Sequence, residues 1–391
     1  MVNEQVDLMS LAEYYYSGNL PDIWFTTEHP IGLTAELHRF ISGGPETTFS
    51  VSEIYWPSGG RVIISLRELL HRELKANFDF ISPFGGTNES ETLPHLSGKV
   101  TINIPGDVDV CPTCLEEAAG GTCENEECGA PIITVPEQDF FVLKGNIDSR
   151  FGTAHMIDVK GLVSQHLLTQ GPQVRIVKTD EPGVLSLAPV EAASVVIASK
   201  NVPAGTTYFS ATPGPNGAII TAFDVTFSRL ALALSDPDAK YIDVWAVIDG
   251  ADTYPIRLQL TDKESDNDDI FLFESALGGL DTIKLTGVLS QIAEHEYLAA
   301  VINRRTVNHA ITPLTAFEKN TGIIAGAEYM QWIMDFLGSA VQYHYKNGGW
   351  RKIIIMEQES KVTKGRISSF TFKFRYDVQY TGVIPEREAT L

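Results

Sequence analysis

Four cysteines, Cys111, Cys114, Cys123 and Cys128, are the residues whose type and spacing best suit chemistry, and the 391-residue chain contains no others. They lie within eighteen positions, whereas a disulfide framework normally spreads its cysteines along the chain, so the clustering points to a metal. In Cys111-Pro112-Thr113-Cys114 a tight turn sets two thiolates on one side of a loop, where backbone N–H groups can donate to sulfur. Pro112 presets that turn, and Gly129 after Cys128 permits a positive φ in a second knuckle. Four thiolates suit a closed, tetrahedral, structural Zn²⁺ site at about 2.3 Å per bond, with no position left open for catalysis. The second pair is spaced by four residues rather than two, so reduced unligated thiols and disulfides stay open as alternatives. Such an ion would brace a loop too polar to build its own core.

Other constellations carry less. Asp262-Lys263-Glu264-Ser265-Asp266-Asn267-Asp268-Asp269 alternates acids as calcium loops do, yet lacks the central glycine and terminal bidentate glutamate, and reads as a solvated inter-strand loop. Glu294-His295-Glu296 does not extend to a zinc-protease motif, and no nucleophile elbow, phosphate loop or dinucleotide fingerprint occurs. Carboxylates are too plentiful to mark a glycosidase pair. No enzyme is expected. Tyr14-Tyr15-Tyr16 reads as closing a helix end, and the aromatics of Phe370–Tyr376 as core rather than as an exposed stacking surface.

Composition narrows the partners. Asp plus Glu number 50 against 29 for Lys plus Arg, a formal net charge of −21, and such a chain repels phosphate backbones and anionic membrane surfaces. The cysteine loop is itself acidic, with Glu116, Glu117, Glu124, Glu126 and Glu127, and only eight residues separate its pairs, so a nucleic-acid finger is not expected. No run of roughly 18 apolar residues exists to span a bilayer as a helix. Met1–Leu20 lacks a basic flank and an apolar stretch, so no secretory signal is expected and synthesis is expected in a reducing cytoplasm.

The elements that must position these residues are mostly short strands, and the expected class is mainly β: multi-domain β-sandwiches, a few short helices and a small cysteine-rich zinc-binding insertion. Length predicts two to three domains at about 150 residues each, and the pattern divides the chain more finely. Residues 1–90 form an N-terminal β domain with strands at Ile23–Thr27, Thr48–Tyr55 and Gly60–Ile64 and a closing helix from Ser65 to Leu74. Residues 91–170 hold strands at Lys99–Ile104 and Asp139–Leu143 around an insertion at 105–138, then a short helix at Leu162–Leu168. Residues 171–265 read as a β-sandwich with strands at Val174–Val177, Val184–Leu187, Ser194–Ala198, Ala218–Phe227, Tyr241–Ile248 and Ile256–Leu260. Residues 266–391 read as an α+β assembly domain: a strand at Ile270–Phe273, a helix at Ala327–Leu337 with Tyr329, Trp332, Ile333 and Phe336 on one side, and strands at Lys352–Met356 and Ser368–Tyr380. In Phe370-Thr371-Phe372-Lys373-Phe374-Arg375-Tyr376 aromatic and polar residues alternate, giving one aromatic strand face. Charge is uneven: Asp107–Asp139 has nine acidic and no basic residues, whereas Lys346 to the end has nine basic against five acidic, allowing complementary contacts between copies.

Three stretches carry a resemblance. Leu20-Pro21-Asp22-Ile23-Trp24-Phe25 with Tyr55-Trp56-Pro57 ahead of the Val62–Leu70 strand–helix, Phe271–Thr282 with its Leu277-Gly278-Gly279-Leu280, and Ser368-Ser369-Phe370-Thr371-Phe372 follow in an order that resembles structural proteins of the tail or baseplate type from phages and prophages of Bacteroidetes bacteria. The cysteine cluster and the smaller size depart from that pattern. The resemblance implies a virion component made in the host bacterial cytoplasm, a homo-oligomer docking to neighbouring tail proteins. The alternatives are a tail-tip adhesin for a host surface glycan or receptor and, third, a glycan-degrading enzyme. Elemental analysis is expected to find one zinc per chain, and Cys111→Ser or Cys128→Ser to loosen residues 105–138 while the sandwiches stay folded. Unfolding of the whole chain on chelation would assign the ion more than a bracing role.

Overall fold

A computed structural model of the chain describes residues 14–16, 22–26, 31–40, 47–56, 58–59, 61–65, 67, 90–92, 95–103, 118–119, 122–123, 138–143, 161–162, 166–188, 192–211, 220–263, 265–302, 305–324, 326–359 and 369–377. These residues are mainly β. In the first third, five strands form one sheet in the order β1 (Tyr14–Tyr16), β10 (Gln138–Leu143), β7 (His95–Asn103), β3 (Ile31–Phe40) and β4 (Thr47–Tyr55), with β1 parallel to β10 and the rest antiparallel. β2 (Asp22–Thr26) pairs with β5 (Arg61–Ser65), and β8 (Ala118–Ala119) with β9 (Thr122–Cys123). Because β7 and β10 are antiparallel neighbours, the cysteine-bearing stretch leaves one strand and returns to the next. The tyrosines at 14–16 form a strand and not a helix end, because pairing with Phe141–Leu143 supplies their backbone partners.

The middle of the chain builds two sheets on one core. The larger runs β11 (Val174–Val177), β18 (Ile256–Leu260), β16 (Tyr241–Ile248), β13 (Ala193–Ala198), β14 (Thr206–Ala211), with β17 (Ala251–Asp252) on β16. The smaller is β12 (Val184–Leu187), β15 (Thr221–Asp224) and β6 (Ser90–Thr92), so a strand from before residue 100 lies beside the middle segment. In β16, buried Ile242, Val244, Ala246 and Ile248 alternate with half-buried Tyr241, Asp243, Trp245 and Val247, as a strand with one core face requires. The buried set joins Val195 and Ile197 of β13, Leu185 and Leu187 of β12, and Phe223 of β15. A short helix, α1 (Phe227–Ala233), adds Phe227 and Leu230. It begins where a strand through Phe227 is expected, because Asp224 accepts from the Thr226 N–H at 2.7 Å and turns the chain. The helix expected at Leu162–Leu168 does not reach its end: His166–Leu168 are non-helical, and the Leu168 N–H donates instead to Ser186 O.

The last third is a seven-stranded antiparallel sheet in the order β20 (Leu280–Leu285), β19 (Asp269–Glu274), β23 (Gln342–Lys346), β24 (Gly349–Glu359), β25 (Thr371–Tyr376), β22 (Arg305–Asn320), β21 (Leu289–Ile302). The helix α2 (Ala327–Gly338) lays Trp332, Ile333, Phe336 and Leu337 onto it, against Phe271, Phe273, Phe317, Phe370, Phe372 and Phe374. The aromatic strand therefore faces the core. Rings meet mostly edge to face, as Phe271 does with Phe374 at 5.9 Å and Phe336 with Phe372 at 5.5 Å, the arrangement their quadrupoles favour. Ser65–Leu74, the expected closing helix, lies outside the described residues beyond Ser65 and Arg67.

The turn from β19 to β20 fastens this sheet to the middle segment. Ser275 N–H donates to Gly279 O at 2.7 Å, and Ser186 of β12 bridges to Leu280, accepting from its N–H at 2.8 Å and donating to its carbonyl at 3.1 Å. Gly279 sits so close that a Cβ there would fall 2.6 Å from the Ser186 Cβ and 2.8 Å from the Leu168 Cβ. Gly279→Ala is therefore expected to destabilise the chain by about 1–3 kcal/mol, measured by chemical denaturation against wild type, and an unchanged midpoint would refute this contact.

Candidate functional site

The feature that most needs an explanation is the ribbon made by β21 and β22. Its ladder runs unbroken in backbone pairing from Leu289↔Lys319 to Ile302↔Arg305, with one register shift after Leu298. Only Phe317–Asn320 of the 16-residue β22 pairs with β25. Among the described residues, nothing else pairs with the remainder of β22 or with the outer edge of the 14-residue β21. At about 3.3 Å per residue the ribbon extends roughly 40 Å beyond the sheet. A lone two-stranded hairpin is marginal in water, and its two edges offer unpaired N–H and C=O groups as a template for another chain. Pro313, opposite His295, removes one donor from this ladder, a residue that strands tolerate at edges.

The root of the ribbon is held by charge. Lys319 has no exposed surface, and its Nζ donates to Asn267 O at 2.7 Å, to Gly287 O at 2.5 Å and to Asp269 Oδ2 at 2.5 Å. His344 of β23 completes the group: Nε2 lies 2.9 Å from Asp269 Oδ1 and Nδ1 lies 2.8 Å from the Tyr376 hydroxyl. An ionised carboxylate only accepts, so Nε2 carries the proton and Nδ1 accepts from Tyr376. Phe271 stacks on the His344 ring at 4.8 Å. Burial pulls the Lys319 ammonium below the usual lysine range despite Asp269. Burial would raise the Asp269 carboxyl, but hydrogen bonds from His344 and Lys319 and the lysine's charge hold it low. Gly287 packs this close to β22 because it has no side chain, a Cβ there lying 2.4 Å from Asn320 O.

A second buried cluster ties the sheet to the middle segment. Asp281 of β20 is fully buried and accepts from Arg175 Nη1 at 2.6 Å, Trp332 Nε1 at 2.8 Å, its neighbour Thr282 N–H at 2.8 Å, and Thr169 Oγ1. The Arg175 guanidinium also lies over the Trp332 ring, 4.5 Å from its centroid. Both oxygens of the carboxylate are engaged by donors, so this group clamps the elements that supply them. Asp335 of α2 differs. It accepts from Ser275 Oγ at 2.9 Å and Ala276 N–H at 2.7 Å, and burial, with the nearby charges of Asp281 and Glu274, pushes its carboxyl up to about 7.

Of the cysteines, Cys123 is placed by its backbone alone, in β9 opposite Ala118, and Cys111, Cys114 and Cys128 lie outside the described residues. Among the described residues no group of three or more histidine, cysteine or acidic side chains is arranged to hold a metal. Asp262–Asp269 runs as a largely exposed inter-strand loop that ends inside, since Asp269 turns into the lysine cluster. Asp269, Lys319, His344, Arg175 and Asp281 had no local signature in the sequence, because the pairs among them join residues 50, 75 and 106 positions apart. A groove of about 360 Å³ also opens where β24 outruns β23, lined by Leu337, Ser339, Gln342 and Ile354–Gln358. No helix among the described residues is long and apolar enough to cross a membrane. No protein-family model matches the chain, and comparison with curated proteins returns no match.

The raised Asp335 carboxyl fixes the sign of a pH effect. The fold binds this proton more tightly than the unfolded chain does, so its contribution is complete below pH 3.8 and is lost as pH rises through about 7. At most about 4 kcal/mol is involved, from about 1.36 kcal/mol per unit. Asp335→Asn is expected to flatten the loss of stability between pH 5 and 8 seen in denaturant titrations, and an unaltered slope would remove Asp335 as its source.

Proposed function

We propose that the chain is a virion structural protein, a tail or baseplate subunit that forms a homo-oligomeric ring and docks onto neighbouring tail proteins. The β21–β22 ribbon carries this reading. A ribbon whose two edges no other described strand pairs beyond Phe317–Asn320, rooted in a buried ion network, suits completion by another chain. A ring of identical subunits multiplies a modest strand-to-strand contact through repetition. The acidic middle and basic end of the sequence offer complementary patches for the same contact. On this reading the larger and smaller middle sheets make a β-sandwich that spaces the ring from its neighbours, and the cysteine loop is an insertion braced by Zn²⁺ through Cys111, Cys114, Cys123 and Cys128. Synthesis in the host bacterial cytoplasm precedes incorporation into the virion.

A second reading, an adhesin for a host surface glycan, draws on one observation. The outward face of β16 sets half-buried Tyr241 and Trp245 two strand repeats apart, with the exposed Arg257 guanidinium 4.2 Å from the Tyr241 ring and doubly bonded to Asp243 at 2.7 and 2.8 Å. Aromatic faces of this kind stack on sugar rings. Binding to a glycan array that is lost in Trp245→Ala would favour it over the assembly reading.

Replacing residues 293–314 by a short Asn-Gly turn is expected to yield a folded monomer, whereas the full chain sediments as a closed oligomer. Light scattering of both forms decides the matter. A full chain that stays monomeric across the micromolar range would overturn the ring.

A further inference from the structure

Lys319 and Asp269 meet under conditions that suit more than an ion pair. Their side chains come from β22 and β19, strands separated in the sheet by β23, β24 and β25, and they close across the aromatic core. Nζ lies 2.5 Å from Oδ2, and the other carboxylate oxygen is engaged by His344 Nε2 at 2.9 Å. Lys319 is wholly buried, and 15% of the Asp269 side chain is exposed. Burying two opposite charges carries a desolvation cost that their attraction must offset. Burial weakens the hold of Lys319 on its proton, and a desolvated lysine amine is a nucleophile. Fixed contact between reacting groups is worth effective molarities of about 10⁵–10⁸ M.

We propose that Lys319 and Asp269 join in an intramolecular amide, an isopeptide cross-link that covalently roots the ribbon. One proton first passes from the Lys319 ammonium to the Asp269 carboxylate. The amine Nζ then bonds to Cγ, giving a tetrahedral adduct. The transferred proton sits on Oδ2, and the Nε2–H of His344 steadies the negative charge that gathers on Oδ1; Oδ1 then takes one proton from the adduct nitrogen and the one on Oδ2 and leaves as water, with His344 unchanged. Ammonium plus carboxylate becomes amide plus one water, with no oxidant or cofactor consumed. Oδ2 remains as the amide carbonyl oxygen, and the surviving Nζ–H donates to Gly287 O or Asn267 O, both already within reach. Tyr376 acts as a positioning residue, its hydroxyl holding the His344 ring in the tautomer that carries the proton on Nε2. The cross-link does not depend on the ring reading, because all its groups come from one chain.

Intact mass spectrometry of the full chain under denaturing conditions tests this directly. The expected mass is one water below that of the sequence, and a tryptic digest should contain one branched peptide uniting the Asp269 and Lys319 segments, uncleaved after Lys319. Lys319→Met and Asp269→Ala should each show their full unlinked mass, and His344→Gln should slow formation of the link by about a hundredfold. Wild-type protein at the full sequence mass, or a water loss mapped to other residues, would overturn the proposal whether or not the variants fold.

Discussion

A carboxylate with no access to water must be answered by fixed donors, and Asp281 shows how much of this molecule is arranged to meet that demand. Its donors come from three places: Thr169 and Arg175 ahead of and within β11, Trp332 on α2, and the backbone beside it on β20. Removing any one leaves a buried charge partly unmet, at a cost of about 3–5 kcal/mol where a buried pair is broken. The geometry of Asp281 therefore sets how the middle segment, α2 and the first hairpin of the last sheet sit together. The turn at Ser275–Gly279, Ser186 on β12 and the absent side chain of Gly279 follow from the same closeness.

The lysine cluster solves a related problem differently. Where Asp281 is surrounded by neutral and cationic donors, Lys319 faces two carbonyls and one carboxylate, with a histidine behind that carboxylate. One arrangement holds elements in place. The other also joins a lysine, an aspartate and a histidine in one hydrogen-bonded chain. Both lie in the part of the chain from which the ribbon departs, so the ribbon leaves a frame with little freedom at its root.

The sequence revealed elements whose own residues decide them. Alternation in Phe370–Tyr376 announced β25 and its aromatic face, and the spacing of Trp332, Ile333 and Phe336 announced α2. The long strands β3, β21 and β22 were not legible. In β21 charged and small residues such as Glu294, Glu296 and Ala299–Ala300 leave no apolar alternation to read, while backbone pairing with β22 makes the strand. β20 was not singled out in the sequence, because Gly278-Gly279 dominates its start, although Leu280, Ile283 and Leu285 are buried. The ion clusters were invisible for a simpler reason: each assembles residues from distant stretches, and one sequence carries no trace of who meets whom. The cysteine spacing is the reverse case, a strong local signal whose loop belongs to the region between β7 and β10.

A ribbon fixed at one end is also a lever. Any tilt at its root is multiplied along its length, so the accuracy with which its tip could meet a neighbour is decided far from the meeting point. That accuracy resides in a few ångströms of packing around Gly287, Asn320 and Lys319, where glycine lets two backbones nearly touch and a captive ammonium binds them. A substitution at that root would misplace the far end without altering a single residue there.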